Sequence, residues 1–306
     1  MYITSRVEDF ASLSGAGVTI GNFDGVHLGH QALIRHSLAM CRKNGLGHVL
    51  ITFSPHPRRV LAPHRHVPLT SRERRMELLD ALGVQRVLEL DFTPDMAAMS
   101  AEEFTRGFLL PLGIRRLVVG YDFTLGKNRS GSFDVLRGLG EQFGFTVERL
   151  EPVQLDDGIV SSTRLRRMIT QGDVRGASRL LGYWYGFSGE VAHGDKRGSR
   201  IGYPTINLAR PEVLLPDNGV YATFVRRGED CFKAVTNVGH RPTFGGDTSD
   251  ITVESFLPGV TVNLYGQKVF VEFVDRLRGE RRFEDAGQLS AQIALDVELA
   301  CEMLEK

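Results

Sequence analysis

The spacing of hydrophobic positions changes character partway along the chain. Through roughly the first 180 residues, short apolar runs alternate with segments of helical period, which predicts a parallel sheet covered by helices. The predicted strands are "VTIG" from Val18, "HVLITF" from His48, "VLEL" from Val87, "LVVG" from Leu117 and "TVERL" from Thr146. Helical stretches begin near Leu28, Ser71, Ala101 and Ser132, and "STRLRRMITQG" and "DVRGASRLLG" add two more. Thr70 or Ser71 can cap the helix "RERRMELLDAL", with Glu73 three residues beyond Thr70 as in a capping box. After Gly182 the texture becomes β-branched and aromatic, in runs such as "GVYATFVRRG", "DCFKAVTNVG" and "QKVFVEFVDRLRG" separated by glycine-rich turns. That pattern predicts an antiparallel barrel or sandwich. A last helix, from about Phe283 to Leu304, places Ile293, Val297, Ala300 and Leu304 on one face, ready to pack on that β structure. The boundary falls near Gly182 to Phe187, giving domains 1–183 and 184–306.

At 306 residues the chain is long enough for two ordinary domains with a core each. Lys+Arg and Asp+Glu are equal at 37, which removes the electrostatic case for a nucleic-acid partner and points to small anions. The three cysteines are scattered and never form a Cys-x-x-Cys pair, so neither a disulfide framework nor a structural zinc site is expected, and a reducing cytoplasm fits. The N-terminal "MYITSRVEDFASL" has no long apolar stretch, and no uncharged apolar run reaches membrane-spanning length.

The first strand-to-helix turn of an open parallel sheet is the usual phosphate site, and here it reads "GNFDGVHLGH", Gly21 to His30. Gly21 and Gly25 allow close backbone approach, and the helix starting near His27 presents free N–H groups and the positive end of its dipole. His27 and His30, three apart, share a side of a helical turn. Taken as residues alone they can cap, pack, grip phosphate or ligate a metal. A metal needs a third ligand, and none is evident, because His56, His64 and His66 lie in proline-rich loop sequence.

The decapeptide resembles the adenylyl-transferring nucleotidyltransferases, whose first turn carries His-x-Gly-His. "SSTRLR", Ser161 to Arg166, resembles the second motif of that superfamily, which holds the β- and γ-phosphates; hydroxyls at an N-cap and the Arg164 fork suit that task. "FSPHP" from Phe53, "GYDFTLGKNRSG" from Gly120 and "GIVSSTRLR" are together similar to the prokaryotic bifunctional riboflavin kinase and FMN adenylyltransferase, or FAD synthetase, family. The resemblance spans essentially the whole chain. It implies a Rossmann-like α/β nucleotidyltransferase domain followed by an antiparallel β-barrel with a terminal helix. In the implied reaction the FMN phosphate attacks the α-phosphorus of ATP, releasing pyrophosphate and forming FAD. No protein nucleophile takes part, so positioning and charge stabilisation dominate. His27 and His30 would stabilise the reacting phosphates, with Gly21, Phe23, Asp24, Ser161, Ser162 and Arg164 around ATP and Phe53, His56, Pro57, Asp122 and Phe123 toward the flavin.

The second half carries "HGDKRGSRIGYPTINL", His193 to Leu208, a glycine-rich basic stretch without P-loop spacing. "PTIN" corresponds to the Pro-Thr-Ala-Asn of riboflavin kinases, with Ile206 in place of alanine. In a strand Thr205 and Asn207 point to one face, where their oxygens suit a single Mg²⁺. The resemblance adds Gly194, Lys196, Gly198, Gly202 and Pro204 to this ATP site. It makes Glu254 the general base that takes the proton of the riboflavin 5′-hydroxyl as that oxygen attacks the γ-phosphorus. Two departures stand out: Ser199 follows Gly198 where the family has arginine, with Arg200 one later, and "ESFLPGV" puts Phe256 and Gly259 where histidine and aspartate are usual.

The expectation is therefore ATP used twice, to make FMN and then FAD, by a cytoplasmic protein whose partners are ATP and flavins, with Mg²⁺ as cofactor. At most a weak homo-oligomer is expected, and neither nucleic acid nor membrane. The alternative is an adenylyltransferase whose barrel binds flavin without turnover.

Overall fold

A computed structural model of the chain describes residues 1–62, 66–156, 158–192, 202–209, 211–240 and 251–305. The chain forms two compact units, Met1–Pro68 with Arg72–Ser161 and Leu69–Ser71 with Ser162–Lys306.

The first unit is built on strands β1 (Tyr2–Thr4), β2 (Ala16–Ile20), β3 (Gly47–Ser54), β4 (Arg86–Asp91), β5 (Ile114–Gly120) and β6 (Thr146–Leu150), in the order β1-β4-β3-β2-β5-β6. Every pairing in this sheet is parallel. The five runs expected from the sequence are all present. The edge strand β1 is too short and too exposed to show a period. Alternate residues of the inner strands feed two cores. Val18, Ile20, Ile51, Leu88 and Leu117 serve one, and Leu50, Val87 and Val118 the other, as expected for strands covered on both faces. The principal covering helices are α1 (Leu28–Lys43), α2 (Pro57–Leu61), α3 (Arg72–Ala81), α4 (Pro94–Ala98), α5 (Ala101–Phe104) and α6 (Phe133–Phe143). α1 lies so close to β2 that a Cβ on Gly17 would stand 2.2 Å from the Cys41 sulfur. The strand order reverses direction between β2 and β5, which makes the loops beyond their carboxyl ends the natural ligand crevice. A two-residue-per-strand hairpin, β7 (Gln154–Leu155) with β8 (Gly158–Ile159), closes this unit and has no sequence signature of its own.

The second unit begins with α7 (Ser162–Thr170) and α8 (Val174–Leu181). Asp173 caps α8 by accepting the Gly176 N–H at 2.8 Å, and Gly182 ends it in the left-handed conformation, φ 75°. The barrel-or-sandwich alternative resolves to a closed barrel in the order β10-β13-β12-β11-β14-β9, with β9 (Tyr185–Ala192), β10 (Thr205–Leu208), β11 (Gly219–Arg227), β12 (Asp230–His240), β13 (Ile251–Phe256) and β14 (Lys268–Arg278). Closure leaves no open sheet edge. The final helix α9 runs over Ala286–Met303 and starts later than expected, because Asp285 caps it by accepting the Gln288 N–H at 2.8 Å. Ala300 and Leu304 pack with Val220, Ala222, Val235 and Val274, and Val297 joins them from the rim. A largely buried Arg278–Asp296 pair, at 2.7 Å, fixes the helix on β14. Inside the barrel the hydroxyls of Thr223, Thr236 and Ser255 bond in sequence at 2.7 and 2.8 Å, so these buried polar groups satisfy one another.

Candidate active sites

The turn between β2 and α1 departs from ordinary backbone geometry. Phe23 (φ 50°), Gly25 (φ 82°) and Val26 (φ 35°) all have positive φ, and for a β-branched valine that is a true outlier. Such strain persists where the surroundings over-determine it, and it clusters at ligand sites. Phe23, Asp24, Val26 and His27 are buried. His27 is the N-cap of α1, and its Nδ1 accepts the His30 N–H at 3.3 Å. The two rings then stack at 3.7 Å between centroids, with Phe23 edge-on to His30 at 5.3 Å. Gly29 makes room for this, since a Cβ there would come 3.2 Å from the His27 ring and 3.4 Å from the Val160 carbonyl.

Burial lowers the His27 pKa to about 4. Burial first, and the neighbouring His27 second, push His30 well below its ordinary value. Both imidazoles are therefore neutral at pH 7, and the His27 proton sits on Nε2 because Nδ1 is an acceptor. His30 Nδ1 is sealed from solvent with no hydrogen-bond partner among the described residues.

Adjacent strands bring the other expected residues to the same edge. His56 and Pro57 follow β3, and Asp122 and Phe123 follow β5, so their loops flank the turn after β2. Phe53 lies inside the core, its ring against Phe92 at 5.7 Å and Phe104 at 6.3 Å, while Phe123 packs on the same core and Asp122 is exposed. A separate grouping of possible ligand atoms lies in this region, distinct from the His27–His30 pair. Donor atoms of Asp24, His56 and His66 lie within 4.8 Å of one another, although His27 and His30 are not part of that group. Loop folding, invisible to spacing, brings His66 there, and its ring stacks on His56 at 3.9 Å. His56 Nδ1 accepts the Arg58 N–H at 3.1 Å. Ser161 ends the first unit directly after Val160, whose carbonyl borders Gly29, and Ser162 and Arg164 occupy the first turn of α7 in the second unit.

On the barrel, Thr205 and Asn207 of β10 share a face, and Asn207 is paired across the sheet with Glu254 of β13. Thr205 Oγ1 donates to Glu254 Oε2 at 3.5 Å. Glu254 is paired on its other side with Asn237 of β12, a residue the sequence reading missed. Its neighbours Thr236 and Ser255 point into the barrel, so Asn207, Glu254 and Asn237 form a polar row on the outer face. Only strand register assembles that row; the amide in "AVTNVG" is the one hint in the sequence. Phe256, one of the two departures, packs edge-on to Tyr203 at 5.2 Å, and Gly259 adopts φ 71° in the following turn. Gly202 is described, exposed and left-handed at φ 89°, and Pro204 is exposed. Gly194, Lys196 and Gly198, with Ser199 and Arg200, lie outside the described residues.

Comparison with known proteins agrees with both halves. The family described as FAD synthetase matches residues 9–164, and the one described as riboflavin kinase matches residues 181–304. A bifunctional riboflavin kinase/FMN adenylyltransferase of Haemophilus influenzae is 36% identical over 294 residues, covering 94% of each chain. The protein of that name from Escherichia coli K12 is 35% identical over 289 residues, covering 94% of this chain and 92% of its own. A solved structure described as a macrolide-efflux protein from Streptococcus pneumoniae superposes with a TM-score of 0.88 at 30% identity, covering 98% of both chains. With both family matches in chain order and relatives aligned over nearly their full lengths, the chain belongs to the bifunctional riboflavin kinase/FMN adenylyltransferase family.

Proposed function

We propose that the two activities of the family are carried here by two separate sites, one for each reaction, with a functional division near residue 183. Adenylylation is assigned to the turn from Gly21 to His30, and the stacked, neutral His27–His30 pair at the start of α1 is the observation that carries this assignment. Neutral imidazoles act as N–H donors to phosphate oxygens and bring no positive charge of their own, which narrows the role expected from the sequence. Positive potential in that reading comes from the α1 N-terminus and from Arg164. Ser161, Ser162 and Arg164 hold the leaving pyrophosphate, and His56, Pro57, Asp122 and Phe123 border the flavin, with Phe53 supporting them from the core.

Phosphorylation of riboflavin is assigned to Thr205, Asn207 and Glu254, with the ATP loop completed by Gly194, Lys196, Gly198, Gly202 and Pro204. Thr205 Oγ1 and the Asn207 side-chain oxygen project from alternate positions of one strand beside the Glu254 carboxylate, a hard oxygen donor set that suits Mg²⁺. When bound there, the ion supplies charge neutralisation at the ATP phosphates. Glu254 takes the proton of the riboflavin hydroxyl, and Thr205 and Asn207 orient the phosphates. The side-by-side Asn207–Glu254–Asn237 row favours a catalytic barrel over one that only binds flavin.

A cytoplasmic setting is supported by Cys41, Cys231 and Cys301 all being free thiols. No helix among the described residues is long and apolar enough to cross a membrane. Incubating the purified protein with riboflavin and Mg·ATP and resolving the flavins over time tests the proposal: FMN should rise before FAD. Turnover of added FMN to FAD with no conversion of riboflavin would instead support the flavin-binding barrel.

A further inference from the structure

The strained turn after β2 needs something to hold it, and a buried cation is in place to do so. Arg75 of α3 is 7% exposed, an unusual state for an arginine. Its Nη1 donates to the Asn22 carbonyl at 3.2 Å and its Nη2 to Glu89 Oε1 at 3.0 Å. Glu89, also 7% exposed, accepts from Arg72 Nε at 2.8 Å on its other oxygen. Thr52 Oγ1 reaches the same Asn22 carbonyl at 3.5 Å, and the Asp24 carboxylate lies within the field of Arg75. Asn22 is the residue immediately before the left-handed run that includes Phe23, Gly25 and Val26.

We propose that Arg75, held by Glu89, is the positioning residue of the phosphate-binding turn, fixing the Asn22 carbonyl and the Asp24 carboxylate so that the turn is pre-formed when ATP arrives. The inference rests on the assignment of adenylylation to Gly21–His30. An ion pair that only tied α3 to β4 would need no bond to a loop carbonyl. The guanidinium's planar fork reaches Glu89 and Asn22 at once, which a lysine ammonium on its flexible stem does not reproduce. Burial lowers the Arg75 pKa, while Glu89 and Asp24 oppose that shift, so the cation is retained by the anions it organises.

The test measures both activities in Arg75→Lys, Glu89→Gln, Arg72→Gln and His30→Ala. Arg72 bonds the same Glu89 but not the loop, so its variant reports what weakening the ion cluster does on its own. Arg75→Lys is expected to raise the KM for ATP and lower kcat/KM for adenylylation by at least about tenfold, with riboflavin kinase kinetics unchanged, and Glu89→Gln should follow it more weakly. Arg72→Gln should leave both activities in place. Loss of both activities in Arg75→Lys and Glu89→Gln would make the pair a folding element and overturn the inference. So would normal adenylylation by Arg75→Lys alongside a defective His30→Ala. Normal adenylylation by His30→Ala would instead remove the underlying assignment, and the inference with it.

Discussion

The two candidate sites are made by different means. The adenylylation turn is a piece of strained backbone, sealed on a core, with two neutral histidines stacked against each other and an arginine behind. The kinase site is a row of oxygen and amide groups on the outer face of a barrel, each contributed by an ordinary strand residue and aligned only by register. The contrast shows why one half announces itself locally and the other does not. A turn that binds phosphate through backbone N–H groups needs glycines and caps at fixed spacing, whereas a register-built site spreads its parts over some 50 positions, Thr205 to Glu254.

That contrast can be broken one site at a time. Glu254→Gln removes the proposed base and should lower FMN formation by at least about a hundredfold while FAD synthesis from supplied FMN continues, as initial rates with each substrate would show. His30→Ala should have the reverse pattern, with adenylylation down at least about tenfold and the kinase intact. Gly29→Ala is a gentler probe of the same turn. Its new Cβ, 3.2 Å from the His27 ring and 3.4 Å from the Val160 carbonyl, must displace the ring, so adenylylation should fall severalfold with little change in melting temperature. Asn237→Ala should lower kinase turnover by a smaller factor, measured against saturating riboflavin, because Asn207 and Thr205 still flank Glu254.

Acid separates the two units at equilibrium. His27 and His48 have folded-state pKa values lowered to about 4 from 6.5, mainly by burial. Below pH 6.5 the unfolded chain takes up protons that the folded unit does not, so stability falls as pH drops from 6.5 toward 4, with a limiting slope of about 1.4 kcal/mol per pH unit for each histidine. Both residues are in the first unit. Urea titrations followed by each activity should therefore show adenylylation lost at lower urea than kinase activity as pH falls, a gap that closes again toward pH 7.

Much of this was legible in the sequence, for reasons that differ by element. The four inner strands β2, β3, β4 and β5 are largely buried on both faces and so appear as continuous apolar runs, and the Ser100 and Asp173 caps mark helix starts chemically. β1 and the β7–β8 hairpin escaped because two or three residues carry no period. At the first site, His27 and His30 were readable from helical spacing, but their neutrality depends on burial and stacking that spacing does not reveal. Arg75 sits in the charged string "RERRMELLD", where nothing marks which arginine turns inward. His66 reaches Asp24 by loop folding, and Asn237 reaches Glu254 by register, and neither route has a local signature.

The central claim, two independent sites joined only by their shared flavin, is tested most directly by mixing the Glu254→Gln and His30→Ala variants with riboflavin and Mg·ATP. His30→Ala should supply FMN and Glu254→Gln should convert it, so the mixture should form FAD at a rate that neither variant approaches alone. A mixture no better than the separate variants, although each retains its complementary single activity, would contradict it.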